Sequence, residues 1–365
     1  MKGDMNTRSS ESGFTLIEVL MSATIGLIVI GTALTAFMNG VEINDISTQL
    51  ADTSHNLRAG SNLLVRDLMQ AGRGIPTGGI SIPLASAGAG QIPRPSPPGS
   101  AYYFDNTTAT TLSAVTTGAG LGPTVDGQAT DIVTVLMEDS ILDDYLGQPL
   151  QVNVSTTPGA VPKLAADGSS FGVGTNTGWI AGDPLNGRDP IKSGDLILFT
   201  SPNGSTAIQT VTRVDTSNVY FESNSNDTFN LNQRTVTAGS ITQILGTVLT
   251  AQRVLMYTYY VDATSGRPPR LMRKLNQFAG QALVGIVEDL ELSYDLVDGT
   301  TNPTNVRNLP YTVAGVTYSA NLIRKANVHI GVRSEMMSMR QRDYQRNHLS
   351  TVVSLRNLAF VDRYR

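Results

Sequence analysis

Glu18 is the first residue in this sequence whose position demands an explanation in chemistry. It lies five residues into FTLIEVLMSATIGLIVIGTALTAFM, residues 14–38, a run with no other charge. Such a run is long enough to cross the roughly 30 Å hydrocarbon core of a bilayer as a helix. A carboxylate costs on the order of 2.5–3.5 kcal/mol at the centre of a membrane helix and less near an interface, so a partner or a function is expected for it.

Other side chains offer weaker chemistry. Asp183, Asn186 and Asp189 in DPLNGRD surround a glycine turn with oxygen ligands of the kind Ca²⁺ takes. They lack the fuller spacing and distal glutamate of an EF-hand loop, so an Asx-rich turn is the reading adopted, as it is for SNSNDTFN at 223–230. Glu138–Tyr145, EDSILDDY, pairs carboxylates as acid–base catalysis requires, but nothing nearby supplies a pocket, and a solvated loop is expected. The three histidines, His55, His329 and His348, are too few and too scattered for a histidine metal centre. His55 and His329 are read as surface residues, and no Ser-His-Asp set can be assembled from spacing alone. There is no phosphate-binding glycine motif. From Arg333 onward seven arginines stand against three acids. Arg340, Arg342 and Arg346 with Tyr344 have the chemistry to hold phosphate and stack a base. An exposed hairpin that balances an acidic protein explains them as well, and nucleic acid is not expected as a partner.

Composition sets the frame. The chain has 365 residues, a net charge of −4, 15% charged residues and no cysteine. Thiolate metal sites, disulfides and a cysteine nucleophile are excluded, and no polyanionic or polycationic partner is indicated. Abundant Thr, Ser, Asn and Gly suit an exported, β-rich protein.

The N-terminus resists simpler assignments. A cleaved secretory signal has a shorter apolar core and a small-x-small site after it, and the nearest match here, Gly31-Thr32-Ala33, lies inside the run. A buried core helix does not fit its length and terminal position. A signal anchor with Lys2 and Arg8 in the cytoplasm leaves Glu18 unexplained. What remains is a polar leader ending in Gly13, an apolar Phe14, then Thr15-Leu16-Ile17-Glu18, with Glu18 four positions after Phe14 on one helical face.

In these residues the chain resembles the type IV prepilin class. The resemblance implies that a prepilin peptidase cuts between Gly13 and Phe14, that the new Phe14 amine is methylated, and that Glu18 meets the N-terminal amine of a neighbouring subunit. An ammonium and a carboxylate attract strongly in a low-dielectric setting, and a lone carboxylate is penalised there. Glu18 would therefore favour assembled over isolated subunits.

The elements that position these residues follow. Apolar residues continue at Ile43, Ile46, Leu50, Leu57, Leu64, Leu68 and Ala71 in steps of three and four, one stripe of an amphipathic helix. Glu42, Asp45, Asp52, Arg58, Arg66 and Asp67 are assigned to faces in water. Gly72, Gly74 and Pro76 should end the helix. Phe14 to Ala71 then makes a rod of roughly 87 Å. Thirteen of the 28 residues from Gly72 to Gly99 are glycine or proline, which reads as a long irregular connection rather than packed structure. Strands are predicted at 131–137, 195–200, 207–214 and 254–261. Two more alternate cleanly: Leu290, Leu292, Tyr294 and Leu296 share one face, and Val328, Ile330 and Val332 another.

The expected fold is α+β: a long N-terminal helix packed on an antiparallel β-rich lobe. Its parts are a leader (1–13), a transmembrane helix (14–38), an amphipathic continuation (39–72), a Gly/Pro-rich connection (73–130) and a lobe (131–365) with a loop-rich insertion at about 155–194. The order of elements resembles PilW-type minor pilins and, less closely, J-type pseudopilins of type II secretion. That implies a non-enzymatic, single-pass inner-membrane protein with a periplasmic lobe and no cofactor. Its partners would be prepilin peptidase, other major and minor pilins, the assembly platform and inner-membrane lipid. A lobe this large would crowd a filament if every subunit carried it, so a rare initiation or tip subunit is expected. A signal-anchored periplasmic enzyme or adhesin is the alternative from another class.

Overall fold

The computed structural model describes residues 13–85, 90–140, 149–154, 163–172, 191–215, 218–234, 238–246, 248–337 and 342–358. The Asp183–Asn186–Asp189 turn and Arg340 lie outside these residues, as does most of the Glu138–Tyr145 cluster.

One helix, α1 (Leu16–Gln70), runs 55 residues without a break. Thr15 opens it from extended backbone (φ −78°, ψ 150°), and Ala71 closes it by turning extended at ψ 131°. Gly72 and Gly74 follow with φ of +78° and +68°, a region in which a side chain would be strained. A Cβ on Gly74 would also lie 1.8 Å from the Glu138 carboxylate. The outgoing chain is held to strand β1 (Val133–Asp139): the Gly72 N–H donates to the Leu136 carbonyl at 2.9 Å, and the Glu138 N–H donates to Arg73 at 2.9 Å.

Among the described residues the lobe is built on a large sheet and a three-stranded one, beside four two-stranded pairs. The large sheet is built around β5 (Leu249–Asp262), which pairs antiparallel with β1, β2 (Leu150–Val154), β3 (Leu196–Thr200) and β6 (Arg270–Leu275). Strand β4 (Thr206–Thr210) flanks β3, and β7 (Gln281–Gly285) flanks β6. The small sheet is β8 (Val287–Leu296), β9 (Ile323–Met337) and β10 (Tyr344–Ser354), with β9 in the centre. Its alternation is as predicted, and Leu290, Leu292, Tyr294, Leu296, Val328, Ile330 and Val332 are all buried. Helix α1 packs on β9, β10 and β7. Buried Asp131 joins the sheets, accepting from the Leu292 N–H at 2.7 Å and from Arg307 at 2.9 Å.

Strand β3, LILFT, shows no alternation because both its faces are covered. Leu196 and Leu198 enter the core that includes α1 and the small sheet, whereas Ile197 and Phe199 enter a second core. There Phe199 meets Phe171 and Phe221 edge to face, with centroids 6.0 and 5.6 Å apart.

Four expectations need correction. The lobe covers only the C-terminal part of the apolar stripe: Leu57, Leu64, Leu68 and Ala71 are buried, but Ile43 and Leu50 remain 64% and 37% exposed. Asp67, assigned to water, is 2% exposed. Its Oδ2 lies 2.8 Å from Arg273 Nε and accepts a hydrogen bond from Tyr259 at 2.6 Å, so the ion pair compensates its burial. The described parts of the 72–99 stretch, 72–85 and 90–99, contribute to the core: Ile80, Ile82 and Ile92 are fully buried, and Asn106 donates to the Pro83 and Gly90 carbonyls. Buried Arg94 binds the Thr116, Thr117 and Ile132 carbonyls and Thr134 Oγ1. Burial lowers its guanidinium pKa to about 10. These side chains do for irregular backbone what a ladder does for strands. Finally, the predicted 207–214 strand is two: β4 pairs with β3, and Arg213–Val214 pairs with Asn218–Tyr220.

Candidate functional site

The N-terminal segment is built from the backbone outward. Gly13, Phe14 and Thr15 precede the helix without regular structure, and all three are exposed. No atom lies within 4 Å of a Cβ placed on Gly13, so neither packing nor backbone conformation in the folded chain requires glycine there.

Thr15 and Glu18 form a capping box. Thr15 Oγ1 accepts from the Glu18 N–H at 3.4 Å, while Glu18 Oε2 accepts from the Thr15 N–H at 3.0 Å and from its hydroxyl at 2.9 Å. The carboxylate thus has a local partner even in an isolated chain, which the sequence reading did not anticipate. The signal was present in the spacing, T-L-I-E. Both of these bonds use Oε2.

Beyond the cap the apolar first half of the helix is bare among the described residues. An 18-residue window near its N-terminus has a mean hydropathy of 2.0 and no buried residue. Phe14 is 85% exposed, Leu16 81% and Leu27 71%. The span's threonine hydroxyls are turned onto their own helix: Thr24 donates to the Leu20 carbonyl at 2.8 Å, Thr32 to Val29 at 2.9 Å and Thr35 to Gly31 at 2.8 Å. A hydroxyl satisfied in this way enters hydrocarbon without an unpaired polar group. Gly26 and Gly31 face open space. Among the described residues nothing buries the apolar surface of residues 14–38, and that surface suits the interior of a membrane.

In the basic hairpin some of the candidate groups are already paired. Arg346 is bound by carboxylates, Nε to Glu288 at 2.9 Å and Nη1 to Asp343 at 2.9 Å. The Tyr344 ring is covered by the Arg333 guanidinium at 3.7 Å. Two of the four residues with the chemistry to meet phosphate and base, Arg346 and Tyr344, are thus engaged within the chain, whereas Arg342 is exposed and Arg340 lies outside the described residues.

The small sheet does bring together a set that spacing alone could not assemble. Cross-strand register sets Glu291 opposite His329 and His329 opposite Ser350. His329 Nδ1 lies 2.8 Å from Ser350 Oγ, and its Nε2 lies 3.7 Å from Asp289 Oδ2. Burial, and then the charge of Glu291, hold the Asp289 carboxyl above its ordinary pKa. His348 stacks on His329 with centroids 5.8 Å apart. The Asp–His separation exceeds a hydrogen bond. Two donors in the adjoining cavity of about 600 Å³ are held by acids, Arg307 by Asp131 and Glu291, and Asn327 by Asp295. With the Asp–His gap open and these donors paired, the residues read as a polar cross-strand cluster on an open sheet.

Among known proteins, residues 8–34 match the model of the prokaryotic N-terminal methylation motif. Neither the curated proteins nor the solved structures yield a match. The motif is the cleavage and methylation signal of type IV prepilins, and its match covers the last six residues before Phe14, the capping box and most of the exposed span.

Proposed function

We propose, from the premise of a prepilin signal on a bare membrane helix, that this chain is a minor type IV pilin. Prepilin peptidase removes residues 1–13 and leaves Phe14 as a methylated N-terminus. The span then holds the protein in the inner membrane with its lobe in the periplasm, until the assembly platform passes it into a filament with other pilins.

One observation carries this reading: the methylation motif, which includes the proposed cut, runs into an apolar helix whose first turns are left bare by the described residues. Three features support the details. The Gly13–Phe14 bond is in exposed non-helical chain, accessible to a protease. Gly13 has no structural need to be glycine, which fits a requirement imposed by an enzyme's site. Glu18 spends Oε2 on its own cap, and a carboxylate has a second oxygen that can accept from the Phe14 ammonium of an adjacent subunit. The size of the lobe favours a rare subunit at the tip or in the initiation complex.

The test is the intact mass and N-terminal sequence of the membrane-extracted protein, made with and without a prepilin peptidase. A chain beginning at Phe14 and carrying one added methyl group only when the enzyme is present is the expected result. An uncut chain under both conditions overturns the proposal.

A further inference from the structure

The chain has three histidines, and the small sheet brings two of them together around a glycine. Cross-strand register sets Asp289 of β8 opposite Gly331 of β9, and Gly331 opposite His348 of β10. His329, two residues before Gly331 on the same strand, projects from the same face. Glycine leaves the middle of this row open: a Cβ at 331 would lie 3.2 Å from Asp289 Cβ and 3.5 Å from His348 Nδ1. Asp289 and His329 are partly exposed and His348 is exposed, so an ion can reach all three from solvent.

These donors are better matched to a cation than to one another. Asp289 Oδ1 is buried without a hydrogen-bond partner among the described residues. Asp289 Oδ2 and His329 Nε2 stand 3.7 Å apart, beyond a hydrogen bond. Zinc bonds of about 2.0–2.1 Å hold two tetrahedral ligands roughly 3.3–3.4 Å apart, so a shift of a few tenths of an ångström closes this gap around an ion. His329 Nδ1 is held by Ser350 Oγ at 2.8 Å, the kind of outer contact that orients a ligating imidazole. As the side chains stand, no three acid or imidazole donors converge among the described residues. His348 completes the set by turning out of its stack on His329, a turn open to an exposed ring on an edge strand. The surroundings favour positive charge: Glu291 lies opposite His329, while Arg333 and Arg346, paired in the adjoining row, are both held by Glu288. Two imidazoles select zinc or a neighbouring transition ion over calcium and magnesium, which take oxygen ligands.

We propose that Asp289, His329 and His348 bind a zinc ion, with His329 donating its Nδ1–H to Ser350 and ligating through Nε2, and with water in the fourth position. The ion takes one ligand from each strand and so ties the edge strand β10 to the rest of the small sheet. Zinc binding here does not depend on the function of the N-terminal helix.

The test uses the full-length protein in detergent micelles, stripped of metal by a chelator that is then removed, with zinc chloride as the titrant. Calorimetry and histidine side-chain NMR read the same samples. The expected result is one zinc per chain, shifted ring resonances for His329 and His348 with His55 unmoved, and no displacement by excess calcium or magnesium. Zinc should also raise the melting temperature of the parent protein, as a ligand of the folded state does. His348→Asn and Asp289→Asn should each weaken binding on the order of tenfold or more, whereas His55→Asn leaves it unchanged. No saturable binding, ring shifts confined to His55, or full affinity in either His348→Asn or Asp289→Asn overturns the proposal. The ring shifts are measured on the parent chain, so the test stands even where a variant fails to fold.

Discussion

Asp67 Oδ2 and Arg273 Nε meet at 2.8 Å across the junction between the helix and the large sheet. The same oxygen accepts the Tyr259 hydroxyl at 2.6 Å, and the guanidinium lies 3.7 Å above the Tyr257 ring. Burial, together with the charge of Asp67, keeps the Tyr259 hydroxyl far above its ordinary pKa, so it remains a donor. This ion pair orients α1 on the lobe. Removing one partner of a buried pair leaves the other charge without compensation, so Asp67→Ala should cost about 3–5 kcal/mol. Asp67→Asn, which keeps an acceptor for Tyr259, should cost less. Urea denaturation followed by circular dichroism measures both, and an unchanged midpoint for Asp67→Ala would show that the pair is dispensable.

Thr15 and Glu18 share a cap, so comparing their variants separates capping from assembly. Loss of a cap costs about 1 kcal/mol of helix stability, and Thr15→Ala should lose only that. Glu18→Ala loses the cap and the acceptor for a neighbour's amine. Both should be cleaved normally, with filament incorporation falling much further for Glu18→Ala. Equal incorporation of the two would reduce Glu18 to a capping residue.

Gly60 tests how closely the helix approaches β7. Alanine in an open helix is favoured over glycine by about 1 kcal/mol. At Gly60 its Cβ would lie 2.1 Å from Val284 Cγ2, and overpacking of this kind costs roughly 1–3 kcal/mol. Gly60→Ala should therefore lower the melting temperature, whereas Gly40→Ala, with nothing within 4 Å, should not. A rise in melting temperature for Gly60→Ala would argue against the packing described.

Asp227 gives a pH dependence. It accepts from the Leu231 and Asn232 N–H groups at 3.1 and 2.8 Å, yet burial outweighs these bonds and raises its pKa above the ordinary 3.8. The folded state then holds the proton more tightly than the unfolded one. Its contribution to stability is present at low pH and is lost as pH rises from 3.8 through the folded value. Asp227→Asn lacks that slope, so its melting temperature relative to the parent should rise across this window. The carboxylates of Asp105 and Asp167, whose pKa values are lowered by hydrogen bonds, are common to both proteins and cancel. A difference independent of pH would refute the assignment.

What could be read in advance followed periodicity. The helix was legible because its apolar run and its stripe repeat every three to four residues, and its end because Gly72, Gly74 and Pro76 stand together. The small sheet was legible because it is covered on one face, so Leu290–Leu296 alternate. Long-range pairing left no such trace. Asp67 looks like any charged residue of an amphipathic helix until Arg273, over two hundred positions away, lies beside it. Ile80 and Ile92 sit among glycines and prolines without a period, and their burial depends on partners such as Asn106. The Asp289–His329–Ser350 cluster depends on strand register, which composition does not reveal. At the N-terminus the relevant information is local, and there T-L-I-E carried the cap in four consecutive residues.

Strand β3 divides its side chains between two cores, Leu196 and Leu198 to one and Ile197 and Phe199 to the other. Strand β5 does the same along its length, with Leu249 and Ala251 in the second core and Val254 and Met256 in the first. Neither core can dissolve while the other persists, since each would strip one face from strands that both require. The lobe should therefore melt as a single cooperative unit, with one calorimetric transition whose van't Hoff and calorimetric enthalpies agree.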